Sequence, residues 1–99
     1  MKSLYSFTER LWVHSGENSA WHFLAIPKDV SAIIKKMFEN KKRGWGSLRV
    51  RATIGDTSWN TSIFPDSRSG CYLLPVKASV RKTEDLFPDD TVSFQIKIL

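Results

Sequence analysis

The chain has 99 residues, 41% hydrophobic and 12% aromatic, the size and composition of one globular domain with little room for a second core. Its formal charge of +5 permits attraction to nucleic acid or other polyanions without showing it, and a solvated basic face is the simpler account. Cys71 is the single cysteine, which excludes an internal disulfide and fits a reducing cytoplasm; Glu9 and Arg10 interrupt the N-terminal alternation and exclude a signal-peptide core, and no run of about 18 apolar residues could span a membrane.

Ser3 to His14 alternates with a period near two and predicts one long first strand, irregular at Glu9-Arg10. Ser15-Gly16-Glu17-Asn18 has turn chemistry. Ala20 to Ile26 is apolar on both parities, as for a strand covered on both faces. Pro27 has no amide hydrogen to donate and ends that ladder. Val30, Ile33, Ile34, Met37 and Phe38 then form one helical stripe, with Asp29 near its start. Lys35, Lys36, Lys41, Lys42 and Arg43 lie toward its end, with Gly44 as the stop.

Ser47 to Phe64 reads as a hairpin around Gly55-Asp56, a two-residue turn of the glycine-first type. That turn pairs Ile54 with Thr57, Ala52 with Trp59, Val50 with Thr61 and Leu48 with Ile63, all on one face. Pro65 to Gly70 is a polar loop, and Cys71 to Leu74 a short strand ended by Pro75. Lys77 to Asp85 suits a helix of about two turns. After a turn at Pro88-Asp89-Asp90, Val92, Phe94, Ile96 and Ile98 mark the buried face of a last strand. Strand-proline-helix thus occurs twice. The expected fold is mainly β with two helices: one domain over residues 1–99, a small six-stranded pseudo-barrel closed at its ends by the helices.

Several short passages carry a resemblance: Trp21 with Ile26-Pro27, Arg43-Gly44-Trp45-Gly46, Trp59-Asn60-Thr61-Ser62, Gly70 through Lys77, and Val80-Arg81-Lys82. With them the chain resembles, over essentially its whole length, the bacterial domain of unknown function nineteen-oh-five. That family occurs alone or beside a bacteriocin-protection domain of the YdeI/OmpD-associated type. The resemblance implies a double-split barrel of AbrB/MazE-like architecture and no established activity. The family usually has Gly-Asp before its last strand where this chain has Asp89-Asp90, and aspartate can enter the left-handed turn at modest cost.

No catalytic or metal-binding set can be read, and nothing points to a cofactor. His14 and His22 stand eight apart without converging ligands, and His22 reads as a partly buried strand residue with a hydrogen-bond partner. Cys71 and Ser62 lack activating contexts. Lys77 and Arg81 share a helix face. Either Glu84, Asp85 or Asp90 pairs with Arg81 and fixes the helix, or Lys77 and Arg81 meet Arg49 or Arg51 in an anion site with Tyr72, Trp59 and Ser62 on its concave side. Trp45, between glycines in a basic surround, suits stacking or a lid over the barrel end. The leading expectation is a cytoplasmic binding or interaction module without catalysis. A nucleic-acid-binding AbrB-like protein is the first alternative, and a small-molecule enzyme or anion binder built on Lys77, Arg81 and Tyr72 the second. The partners to consider are an anionic ligand, nucleic acid or a protein, with oligomeric state open.

Overall fold

The structure is a computed structural model that describes residues 3–15 and 20–99. The expected turn at Gly16-Glu17-Asn18 lies outside the described residues. Seven antiparallel strands form among them: β1 (Leu4–Arg10), β2 (Trp12–Ser15), β3 (Ala20–Ala25), β4 (Leu48–Ile54), β5 (Thr57–Asp66), β6 (Cys71–Pro75) and β7 (Thr91–Ile98). Two α-helices, α1 (Lys28–Met37) and α2 (Ala78–Thr83), follow β3 and β6, as the two prolines predict. The strand order β1-β7-β4-β5-β6-β3-β2 curls into a half-barrel.

Seven strands replace the expected six because the first one breaks. Its sequence alternation continues, but its partner changes: β1 pairs with β7, whereas β2 pairs with β3. The break falls at Leu11, which is completely buried. Its N–H donates to the Asp90 carbonyl at 2.9 Å and its carbonyl accepts from the Asp89 N–H at 2.7 Å. A single residue therefore carries the chain from one end of the sheet order to the other. β5 divides likewise, pairing with β4 through Thr57–Ile63 and with β6 through Phe64–Asp66.

The hairpin forms in the register that its alternation and turn dictate, from Ile54↔Thr57 to Leu48↔Ile63. Gly55 takes φ +58 while Asp56 stays out of the left-handed region, as the glycine-first turn requires. Strand β7 buries Val92, Phe94, Ile96 and Ile98 as predicted. Asp89 enters the left-handed region at φ 73. Each fully buried aliphatic or aromatic side chain contributes about 2–3 kcal/mol.

Four local expectations need correction. β3 is not covered on both faces: Trp21 is 54% exposed, and Phe23 lies stacked beside Trp21 and tilted against Trp12. Pro65 does not open a loop but lies within β5 opposite Tyr72, near the strand's end, where a missing ladder donor is tolerated. Gly44 does not end α1, which stops at Phe38 and passes through a short 3-10 turn at Glu39–Lys41. Within the helical stripe Ile33 is 53% exposed, and the inward face is completed by Ser31. The Ser31 hydroxyl donates to the Ile26 carbonyl and accepts from the Tyr72 N–H, both at 2.9 Å, tying α1 to β6.

Candidate functional site

The sheet opens where β6 ends. β6 pairs with β5 only at Phe64–Asp66 and with β3 only at Phe23–Ala25. The Val76 N–H still donates to the His22 carbonyl at 2.8 Å, but beyond it the chain leaves the ladder, and no strand among the described residues separates Ala20–Trp21 of β3 from Trp59–Thr61 of β5. A cleft of about 430 Å³ occupies this gap, lined also by Pro75, Val76, Lys77 and Arg81. That is within the size range of small-molecule sites.

Arg81 projects from α2 and is held at two points. Its Nε donates to the Val76 carbonyl at 3.1 Å, and Nη1 lies 3.2 Å from His22 Nε2. A guanidinium can only donate, so Nε2 accepts and the ring proton sits on Nδ1. Burial, followed by the neighbouring Arg81 charge, lowers the His22 pKa below its usual 6.5, against an opposing pull from the Ala20 backbone. Nδ1 is buried without a well-formed hydrogen bond among the described residues. The imidazole is thus neutral, with its one lone pair committed to Arg81. It positions the arginine and has no free site to act as a base. The guanidinium retains N–H donors with no partner among the described residues, and the Lys77 ammonium has none there either.

The predicted partners of Arg81 are elsewhere. Glu84 accepts from the Thr57 hydroxyl at 2.6 Å, Asp90 accepts from the Phe87 N–H at 2.9 Å, and Asp85 sits in a left-handed turn at φ 56. Of the seven candidate residues, the cleft brings together Trp59, Lys77 and Arg81. Arg49 and Arg51 do not join them, because the β4 alternation places both on the exposed side of the sheet. There Arg49 Nη1 donates to the Ser62 hydroxyl at 3.2 Å. Tyr72 belongs to the core; burial raises its pKa, and its hydroxyl has no hydrogen-bond partner among the described residues. Sequence reasoning missed His22 and Trp21 as members of the site. His22 and Arg81 are 59 residues apart, and no local spacing signals their contact.

A model of the family described as Domain of unknown function (DUF1905) matches residues 7–96. The chain belongs to this family. The match spans nearly all of the chain, and the DUF1905 assignment agrees with the resemblance drawn from its short motifs. No curated protein matches the sequence. Within this DUF1905 domain no group of three or more His, Cys, Asp or Glu residues placed to hold a metal ion occurs among the described residues. No helix there is long and apolar enough to cross a membrane.

Proposed function

We propose that the domain is a binding module without catalysis of its own, taking an anionic group into the cleft between β3 and β5. One observation carries this reading: Arg81 is fixed by the Val76 carbonyl and a neutral histidine, and its unused donors share the cleft with the unpaired Lys77. A charge held in this way loses little conformational freedom on binding, which favours an anion that offers two oxygens to the guanidinium, such as a carboxylate or phosphate. Trp21, Trp59, Pro75 and Val76 add apolar walls, so the favoured ligand carries a flat apolar body beside its anion. The cytoplasmic, bacterial setting and the AbrB/MazE-like architecture implied by the resemblance belong to the same proposal.

Benzoate and phenyl phosphate are suitable probes, with the indole N–H resonances of Trp21 and Trp59 as reporters. At least one probe should shift them saturably. Arg81→Met should weaken that binding by roughly 10- to 100-fold, the scale of a hydrogen bond to a charged group, and Arg81→Lys should weaken it less. An unchanged affinity in folded Arg81→Met, or no saturable shift with either probe, would remove the site. Chemical turnover of a probe would remove the claim that the module is not catalytic.

A further inference from the structure

The exposed face of β1, β7, β4 and β5 meets the Arg81 cleft at Asn60 and has a different character. Its outward positions include Ser6, Thr8, Ser93, Gln95, Thr53, Ser58, Asn60 and Ser62, with Arg10, Arg49, Arg51 and Lys97 among them; the acids near it are Asp66, at the end of β5, and Asp89, which pairs with Arg10 at 3.9 Å. Lys41, Lys42 and Arg43 continue this positive charge, lining with Arg49 a cleft of about 650 Å³ at the edge of the face. Glu39, bound to Lys42 at 3.5 Å, is the one acid in the adjoining 3-10 turn. Among Lys41, Lys42, Arg43, Arg49, Arg51 and Lys97, Lys42 alone has an ion-pair partner among the described residues.

Two features here carry a folding cost. Arg51 lies directly opposite Lys97 in the β4–β7 register, with no acid between them, and like charges so placed repel. Trp45 is 93% exposed and held at φ 63, a backbone region that disfavours side chains with a Cβ. It stands at the tip of a tight turn closed by the Arg43 N–H to the Ser47 carbonyl, four residues before Arg49. A repelling cation pair, a basic cleft that includes the neighbouring Arg49, and a presented indole next to Gly44 at that cleft's border match a chain of phosphates with accessible base faces. We infer that this face binds single-stranded nucleic acid, with Arg43, Arg49, Arg51 and Lys97 along the phosphates and Trp45 stacked on a base. A duplex keeps its base faces covered and would leave the indole unused.

Fluorescence anisotropy of labelled oligo(dT) and oligo(rU), each about 20 nucleotides long, tests the inference against a mixed duplex and phosphatidylserine vesicles. The single strands should bind at low salt, with log affinity falling against log salt at a slope near −3, about 0.7 for each of four phosphate contacts. Arg51→Gln with Lys97→Gln should reduce that slope by about one to one and a half. The same pair should hold or raise Tm, because it relieves a repulsion, so weaker binding could not be ascribed to damaged folding. Trp45→Ala should weaken binding by roughly 5- to 100-fold without changing the slope, and Trp45→Phe should restore most of the loss. Arg81→Met should leave oligonucleotide binding unchanged. Absence of single-strand binding at low salt overturns the inference, as does indifference to Trp45→Ala. Equal or tighter binding of duplex or vesicles overturns it in favour of an undiscriminating basic surface.

Discussion

His22 shows how one side chain's environment decides its chemistry. Strand β3 places the imidazole beside Arg81, and burial with that adjacent charge lowers its pKa. A histidine whose folded pKa lies below its unfolded value supports folding fully above about pH 6.5, and that support is lost as pH falls through the folded value. Urea midpoints measured from about pH 8 to about pH 5 should therefore decline below pH 6.5, and His22→Gln should flatten that limb. An identical decline in the variant would show that His22 does not link folding to protonation. The Arg81–His22 contact was not legible in the sequence, where Glu84, Asp85 or Asp90 stood as the acid that would pair with Arg81. The guanidinium instead reaches back across the strand-to-helix junction, and the Val76 carbonyl at that junction takes its Nε–H.

At the level of elements, the hairpin, the last strand and the two helices after prolines were legible locally, whereas the roles of Pro65, Gly44 and Ile33 were not. The β4–β5 hairpin needs only a period of two and a glycine-first turn, and these agree on one register. The length of the first strand depends on which strands stand beside it, and nothing in the alternation of Leu11 and Val13 records that the partner changes. The hairpin turn also has a tertiary role hidden from its sequence. A Cβ at Gly55 would fall almost on Glu84 Oε1, and Gly55 already has φ +58. The Glu84 carboxylate, just past α2, accepts from the Thr57 hydroxyl and so ties the second helix to the hairpin. Gly55→Ala should cost about 1–3 kcal/mol, from a left-handed alanine and a displaced charge-assisted hydrogen bond. Thr57→Val should cost about 1–2 kcal/mol, and the two changes together less than their sum, because both break the same link. Strict additivity in denaturant unfolding would show that Gly55→Ala leaves the Glu84–Thr57 bond intact.

Across the whole molecule, Leu11 joins the two outermost strands of the sheet. Its side chain has no exposed surface, and its backbone is bonded to the turn preceding β7. Leu11→Ala should cost about 2–5 kcal/mol in urea unfolding, as for a large-to-small change in a rigid core. A loss below about 1 kcal/mol would show that the joint can collapse around the smaller residue. Its position also constrains the order in which the fold is completed. Leu4 lies opposite Lys97, and each β1 residue from Leu4 to Arg10 pairs with one from β7. A ribosome releases the earliest strand long before its partner exists, so β1 waits unzipped while the central hairpin forms from neighbouring residues. Final closure is an encounter between distant parts of the chain, and its speed is governed by the entropy of that long loop.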